Sequence, residues 1–152
     1  MKSPAIYPVL IYSLLVSSML VGCGGVDQQS VLEAANGTNL QRLTNLYLSY
    51  QSRNDWNGPP DQATLREFAV SFDKKKLARI GIDPSQIDEL FVSERDGKPY
   101  KIRYNVKGSS RGSTEPVVFE EVGVSDKRRI GFLNMTEREV DAAEYDQLWA
   151  GN

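Results

Sequence analysis

Hydrophobic side chains recur every three or four positions between residues 38 and 81, the spacing typical of helices that bury one face. Thr38 and Gln41 have the spacing of a capping box, which predicts where the first helix begins. The apolar face of this helix consists of Leu40, Leu43, Tyr47 and Tyr50. We expect about four turns, ended by the Asn-, Gly- and Pro-rich residues 54–60.

A second helix is predicted to begin at Asp61, whose carboxylate can cap free backbone amides. Four apolar residues share one of its faces: Leu65, Phe68, Ala69 and Phe72. Leu77 and Ile80 continue the spacing, so we expect the helix to extend to Gly81. The pair Asp83–Pro84 marks another, shorter helix start.

Further along the chain the spacing becomes alternating, as in strands with one buried face. Four segments have this strand-like character: residues 90–93, 100–106, 117–122 and 129–133. The first two flank a turn at Asp96 and Gly97 and predict a hairpin, while a turn containing Asp126 joins the last two. The inward side chains of the hairpin are Tyr100, Ile102, Tyr104 and Val106.

The last part of the chain returns to helical spacing. Thr136 and Glu139 again have the spacing of a capping box. The apolar residues expected on this closing helix are Val140, Ala143, Leu148 and Trp149. The order of elements predicts a single α+β domain over residues 38–152. N-terminal amphipathic helices cover one side of a roughly four-stranded antiparallel meander, and a C-terminal helix closes the domain.

Residues 1–22 have the layout of a secretory signal. The charged Lys2 precedes an apolar stretch over residues 9–21, and the small Gly22 stands directly before Cys23. The apolar stretch is shorter than the ~20 residues that a membrane-spanning helix needs. A cleaved export signal is therefore the preferred interpretation.

The four residues Leu20, Val21, Gly22 and Cys23 resemble the lipobox of bacterial lipoproteins. The resemblance implies cleavage between Gly22 and Cys23 and a diacylglyceryl group on the Cys23 sulfur, with residues 23–37 as a tether. It also implies a membrane partner, because two or more acyl chains anchor a protein stably. An ordinary cleavable signal followed by a chance cysteine is the alternative.

Gly24 follows the lipobox, where enteric bacteria use aspartate to retain lipoproteins in the inner membrane. The resemblance therefore implies a cell-envelope location at the outer membrane, facing the periplasm or the cell surface.

Composition excludes several chemistries. The chain has no His and one Cys, so Ser-His-Asp and Cys-His catalysis, imidazole zinc sites and an internal disulfide are ruled out. We expect no cofactor. Removal of Lys2 with the signal leaves 17 basic and 20 acidic residues, a net charge of −3. This balance gives no reason to expect a nucleic-acid partner.

Carboxylates are the remaining candidates for acid–base catalysis. Glu120 and Glu121 are adjacent on a predicted strand and should point to opposite faces, whereas Glu94 and Asp96 can share one. A glycosidase needs two carboxylates across a cleft, which no sequence feature indicates here. We favour the interpretation that these carboxylates lie on the solvated surface or in turns.

Two basic triplets, Lys74–Lys76 and Lys127–Arg129, are candidates for contact with anionic head groups or cell-wall polymers. Each charge near an anionic membrane contributes only about 1 kcal/mol, and the chain is acidic as a whole. Solvated helix and turn surfaces are therefore the favoured interpretation of both triplets.

Trp56 is the candidate partner contact, because it lies in the polar loop between the first two predicted helices. A large aromatic side chain in such a loop can meet a protein or a sugar ring. The alternative, which we favour, is that Trp56 folds back as a lid on the core.

The first predicted helix and the hairpin around residues 95–100 resemble the globular part of type II secretion pseudopilins and related pilin-like proteins. The resemblance covers residues 38–133. The pilin methylation motif and its long apolar helix are replaced by the lipobox. The resemblance thus implies a shared fold rather than filament assembly.

These features together predict a lipid-anchored, non-enzymatic cell-envelope protein whose small domain meets an unknown protein or cell-envelope polymer. One alternative is a carboxylate-based hydrolase of cell-wall or extracellular glycan that uses Glu94 and Asp96. Another is an accessory factor of a secretion or pilus system.

The lipobox predicts the outcome of replacing Cys23 with Ser. The variant should leave the membrane fraction or remain uncleaved, because its hydroxyl does not receive the lipid. Labelling with radioactive palmitate followed by membrane fractionation measures both effects. Labelling equal to that of the unaltered protein would contradict the prediction.

Overall fold

The structure, a computed structural model, describes residues 37–151. The predicted signal 1–22, the lipidation and cleavage residues Gly22 and Cys23, and the tether up to residue 36 lie outside the described residues. The described part contains four α-helices and a four-stranded antiparallel sheet, which confirms the α+β prediction. None of its helices is long and apolar enough to cross a membrane.

Helix α1 spans Asn39–Gln51 and begins with the predicted capping box. The Thr38 hydroxyl accepts a hydrogen bond from the Gln41 backbone N–H at 3.1 Å, and the Gln41 side-chain oxygen accepts from the Thr38 N–H at 3.3 Å. The buried apolar residues of α1 are Leu40, Leu43, Leu46 and Tyr47. The predicted first helix is therefore confirmed.

Helix α2 spans Gln62–Ser71 and begins after Asp61, as predicted. The Asp61 carboxylate accepts a hydrogen bond from the Thr64 N–H at 2.8 Å. Its apolar side chains pack toward α1, where Tyr50 and Phe68 meet edge to face with their ring centres 5.2 Å apart.

The predicted extension of this helix to Gly81 is wrong. The backbone of Phe72 is extended, with ψ at 145°, and a separate helix α3 spans Lys74–Arg79. Asp73 starts α3, because its carboxylate accepts hydrogen bonds from the first free amides of the new helix. The apolar spacing continues across the break, and this continuity misled the prediction. Leu77 lies in α3 and is buried.

The segment before the sheet contains two 3₁₀ turns, Pro84–Gln86 and Glu89–Phe91. The short helix start predicted at residues 83–84 is thus a 3₁₀ turn. The predicted strand 90–93 is wrong, because the second turn occupies its first half and only Val92 forms an isolated bridge, to Pro99. Proline has no N–H to extend a ladder of hydrogen bonds. The turn at Gly97 is confirmed, with φ at +68°.

Four strands form the sheet in chain order, each antiparallel to the next. They are β1 (Lys101–Ile102), β2 (Pro116–Phe119), β3 (Arg128–Phe132) and β4 (Glu137–Val140). The predicted turn at Asp126 is confirmed, since Ser125 and Asp126 both have the positive φ of a tight hairpin turn. The predicted strands are longer than the observed β1 and β2, which leaves Tyr104 and Val106 beside the core and Val122 exposed.

The prediction of a helix start at Thr136 and Glu139 is wrong. Residues Glu137–Val140 form β4 and pair with β3, so tertiary hydrogen bonding overrides the local capping signal. Helix α4 spans Ala142–Ala150 and is capped by Asp141, which accepts a hydrogen bond from the Glu144 N–H at 3.0 Å. Val140 is therefore a strand residue. Tyr145, rather than Ala143, is the buried residue of α4.

The sheet is covered on both faces. Ile130 and Gly131 are neighbours on β3 and point to opposite faces. Ile130 packs in a cluster with Phe119, Phe132, Val140 and Tyr145 of α4. A side chain at Gly131 would instead overlap the Thr44 hydroxyl of α1. Helices α1 and α4 thus lie on opposite faces, and the closing helix covers the side of the sheet that α1 leaves open.

Glu120, directly after β2, is 1% exposed and is the most deeply buried carboxylate of the described residues. Its three hydrogen-bond partners are all donors: the Ser93 hydroxyl at 3.0 Å, the Arg95 guanidinium at 3.1 Å and the Arg129 backbone N–H at 2.8 Å. Arg95 also pairs with Glu139 of β4 at 2.9 Å. The expectation that all candidate carboxylates are solvated is wrong for Glu120, because these donors replace water.

Exchange of Glu120 for Gln should lower the free energy of unfolding by about 2 kcal/mol, because one donor would face the new amide NH₂ group. Glu121 is the matched control. It is exposed and pairs only with Lys101 at 3.5 Å, so Glu121→Gln should change stability by less than about 0.5 kcal/mol. Urea unfolding of both variants measures the difference. Equal effects would contradict the structural role of Glu120.

Candidate functional site

The strongest candidate site is the turn that follows α1, residues 54–58, which we call the Trp56 turn. Asp55 and Trp56 both have left-handed backbones, with φ at 50° and 62°. Such conformations are uncommon for residues other than glycine and cost roughly 1–2 kcal/mol each. A bulky residue held in this way requires its surroundings to maintain the turn.

Gln51, the last residue of α1, supplies the first of these restraints. Its backbone carbonyl accepts hydrogen bonds from the Trp56 N–H at 2.8 Å and the Asn54 N–H at 3.0 Å. Its side-chain NH₂ group donates to the Val106 carbonyl at 2.8 Å. The side-chain oxygen of Gln51 is buried and has no hydrogen-bond partner within the described residues. The turn is therefore tied both to α1 and to the segment around Val106.

The second restraint is a backbone bridge to the loop after the hairpin. The Gly108 N–H donates to the Trp56 carbonyl at 2.7 Å, and the Gly58 N–H donates to the Val106 carbonyl at 3.0 Å. Asn57 and Lys107 form the isolated β-bridge between the two segments. Residues 56–58 and 106–108 thus behave as one small, hydrogen-bonded unit.

Tyr47 stabilises this unit through two hydrogen bonds of its hydroxyl group. Its hydroxyl donates to the Arg103 carbonyl at 2.9 Å and accepts from the Val106 N–H at 3.3 Å. Burial raises the pKa of Tyr47 to about 12. A Cβ atom at Gly58 would overlap the Tyr47 hydroxyl, so this position has no space for a larger residue. Asn105 has a left-handed backbone as well, with φ at 59°.

The Trp56 side chain is partly buried and belongs to neither of the two apolar clusters formed by the described residues. Exposed polar residues flank it on both sides in the chain, Asp55 and Asn57. The amides of Asn54 and Asn57 donate to backbone carbonyls within the same region, at 2.8 and 3.1 Å. The backbone of Trp56 is therefore held by hydrogen bonds, and its partly exposed side chain lies among polar residues.

The candidate carboxylates Glu94 and Asp96 accept hydrogen bonds from backbone N–H groups of different segments. Glu94 accepts a hydrogen bond from the Asn39 N–H at 2.7 Å, at the start of α1. Asp96 accepts from the Lys98 N–H at 2.9 Å and from the Gly123 N–H at 2.6 Å. Burial alone would raise the pKa of Asp96, but these hydrogen bonds outweigh it and hold that pKa below its usual value.

The predicted opposite orientation of Glu120 and Glu121 is confirmed, since the first is buried and the second is exposed. Both of these carboxylates, like Glu94 and Asp96, have structural partners. No group of three or more carboxylate or thiol side chains within residues 37–151 could hold a metal ion.

The two basic triplets have different surroundings in the structure. In Lys127–Arg129, Arg128 stacks over the Tyr145 ring, and Arg129 pairs with Glu137 at 3.0 Å. In Lys74–Lys76, all three side chains are exposed on α3. The solvated interpretation is thus wrong for the two arginines, which have partners within the domain. For the lysines of α3 the structure shows exposure, which both interpretations require.

Sequence reasoning identifies Trp56 but misses the residues that hold it. The pattern places Tyr47 only on the apolar face of α1, and its hydroxyl contacts come from residues more than fifty positions away. The sequence gives no indication of the role of Gln51, except that this residue lies near the end of a predicted helix. The Asn, Gly and Pro content of residues 54–60 is the local signal, since asparagine tolerates a left-handed backbone.

Comparison with known proteins adds no relative: no family model, no curated protein and no solved structure matches the chain.

Replacement of Tyr47 with Phe should destabilise the domain by about 1–2 kcal/mol, because the Val106 N–H and the Arg103 carbonyl lose a buried partner. Tyr50→Phe, on the same helix, is the matched control and should cost less than about 0.5 kcal/mol. Chemical unfolding at neutral pH measures both.

Alkaline pH provides a second measurement of the same contact. The pKa of Tyr47 is raised in the folded state, so its contribution to stability is present below its ordinary pKa of 10.0 and is lost as the pH rises toward about 12. The stability difference between the unaltered protein and Tyr47→Phe should therefore shrink over this range. A constant difference would contradict the assignment.

Proposed function

We propose that the protein is a lipid-anchored component of the cell envelope that presents a small non-catalytic domain to a protein or envelope polymer. The Trp56 turn is the contact surface. The observation that carries the proposal is the left-handed, hydrogen-bonded backbone of Trp56 at the end of α1, since such strain concentrates at functional sites.

The anchor part of the proposal is supported by the sequence. The lipobox Leu20–Cys23 follows a signal-like segment, and Cys23 is the only cysteine of the chain. In this proposal the lipid on Cys23 holds the protein at the outer membrane, facing the periplasm or the cell surface.

The position of the Trp56 turn supports its role as the outward surface. In this proposal the tether 23–37 leads to the cap of α1 at Thr38, and the Trp56 N–H donates a hydrogen bond to Gln51, the last residue of that helix. Thirteen residues of α-helix, at 1.5 Å each, separate the two ends by about 20 Å. A partner that approaches from the side away from the anchor meets the Trp56 turn.

The chemistry of the turn favours a flat or ring-shaped apolar group with polar edges. An indole offers a large contact area, and tryptophan is enriched among the residues that dominate binding energy. The exposed Asp55 offers a carboxylate to hydroxyl or amide donors. A sugar ring of an envelope polymer and an aromatic or proline side chain of a protein both have this character.

The packing of α1 across the sheet favours one other function, that of a pilin-like accessory factor. Thr44 and Leu40 of α1 fill the space above Gly131 of β3, so that the helix lies closely on the meander. In this alternative the same surface would meet a component of a secretion or pilus system.

Replacement of Trp56 with Ala tests the contact surface. The lipidated protein is purified from membranes after mild crosslinking, and the copurified protein or polymer is quantified for each variant. We expect Trp56→Ala to lose about 2 kcal/mol of binding, roughly thirtyfold in affinity, because a central tryptophan typically contributes that much.

Trp149→Ala is the matched control. Trp149 is the second tryptophan of the chain, is 40% exposed, and packs on Phe119 at the α4 face of the sheet. This variant should keep the partner. Recovery of the same partner with Trp56→Ala, or loss with both folded variants, would overturn the proposed surface.

A further inference from the structure

Helix α3 carries a concentration of positive charge. Four of its six residues are basic, and all four are exposed: Lys74, Lys75, Lys76 and Arg79. At 100° per residue, Lys75 and Arg79 lie on the side opposite the buried Leu77, and Lys76 lies next to them. These charges therefore form an outward face of the helix, with Lys74 at its edge.

Arg53 connects this helix with the Trp56 turn. Its guanidinium lies over the ring of Phe72, 4.4 Å from the ring centre, and over the ring of Phe68, at 5.7 Å. Phe72 is two positions before Lys74, a backbone distance of at most about 7 Å. Arg53 itself comes directly before the Trp56 turn in the chain. The start of α3 and the Trp56 turn therefore lie at the same end of α1.

We call Arg53 and the four basic residues of α3 the basic surface. None of its five side chains has an ion pair with a carboxylate of residues 37–151. Asp55, the exposed acid of the Trp56 turn, pairs with none of them, and Asp73 is engaged as the cap of α3. By contrast, Arg95 and Arg129 each have carboxylate partners. The domain thus leaves the basic surface unneutralised, although the chain as a whole has a net charge of −2.

The Arg53 guanidinium is held in place while its donors stay available. Stacking on Phe72 restrains its plane, and its N–H groups donate to no partner within residues 37–151. A guanidinium stacked in this way can present two parallel N–H groups to one carboxylate or phosphate. The lysines of α3 are flexible point charges, which can follow an anion without a fixed geometry. The basic surface is therefore suited to oxyanions.

The layout of the charges favours a polymer that carries anionic groups at repeated intervals. Lys75 and Arg79 are four positions apart, which separates them by about 6 Å along the axis of α3. A repeating polyanion can meet such cations in succession without a closed pocket, because charge attraction acts beyond direct contact. Trp56, partly exposed at the same end of α1, adds an aromatic group that can meet a sugar ring. Together these features favour an anionic polysaccharide over an acidic protein segment.

We propose that the basic surface binds an anionic polysaccharide, and that this polymer is the partner that the Trp56 turn contacts. This inference rests on the proposed function, since it names the chemistry of the partner at the same surface. The carboxylate or phosphate groups of the polymer meet Arg53 and the lysines of α3, and a sugar ring meets Trp56.

Binding to a defined acidic polysaccharide tests the inference. The full-length protein, purified in a neutral detergent, is titrated over immobilised polygalacturonate, with neutral dextran as the reference. We expect binding to polygalacturonate and none to dextran. Raising the salt concentration from about 0.05 M to about 0.5 M should abolish most of this binding, since exposed charges are then screened.

Two double variants with the same loss of charge locate the contact. Lys75→Gln with Lys76→Gln should weaken binding about fivefold, because two exposed charge pairs are lost. Lys98→Gln with Lys127→Gln, at two exposed lysines in hairpin turns, should leave binding unchanged. The turn of Lys98 follows Glu94, which bonds to the first residue of α1 and so lies at the opposite end of that helix. Urea unfolding should show equal stability for both variants.

Absence of binding to polygalacturonate, or equal weakening by the two double variants, would overturn the basic surface as the polymer site. Equal binding to polyglutamate or to phosphatidylglycerol vesicles would show attraction to any anion and would overturn the polysaccharide as the partner.

Trp56→Ala distinguishes this inference from the proposed function. Loss of polygalacturonate binding with Trp56→Ala alone would overturn the basic surface and leave the Trp56 turn as the contact. Loss with the α3 lysine variant alone would support the basic surface and overturn the Trp56 turn. Weakening by both variants is the expected result.

Discussion

The buried carboxylate of Glu120 is the interaction on which the arrangement of the sheet depends. A charge removed from water needs donors, and three residues supply them: Ser93 and Arg95 from the hairpin turn, and the Arg129 amide from β3. Arg95 extends the network to Glu139 in β4. Separation of the hairpin turn from the end of β2 or from the two further strands would therefore break hydrogen bonds or ion pairs of this buried network. The irregular segment 93–99 is held in this way, although it forms only one strand-like bridge.

Sequence patterns correctly predicted the caps and turns that depend on residues close together in the chain. The caps at Thr38 and Asp61, the turn at Gly97 and the turn at Asp126 depend on residues at most four positions apart, and all of them are confirmed. One error, the extension of the second helix past Asp73, came from a local cap that the apolar spacing concealed. Other errors arose where a distant partner decides. Residues 136–139 have the spacing of a helix cap, but residues 137–140 pair with β3. The backbone hydrogen bonds between the two strands outweigh the local preference for a capped helix.

In the candidate site, too, local features were predictable from the sequence and contacts with distant residues were not. Trp56 is identifiable from the polar loop around it, but its left-handed backbone depends on Gln51 and on a loop fifty residues later in the chain. The two basic triplets look alike in sequence. Only the folded structure distinguishes Arg128 and Arg129, which have aromatic and acidic partners, from the lysines of α3, which face solvent.

The length of helix α1 determines how substitutions at its two ends combine. Its length separates the Trp56 turn from the cap at Thr38 by well over the distance of about 10 Å within which substitutions usually couple energetically. Substitutions at the two ends should therefore combine additively. Under the proposed function, affinity for a partner at one end of α1 and attachment through the lipid anchor at the other can then change independently of each other, with α1 as the spacer between them.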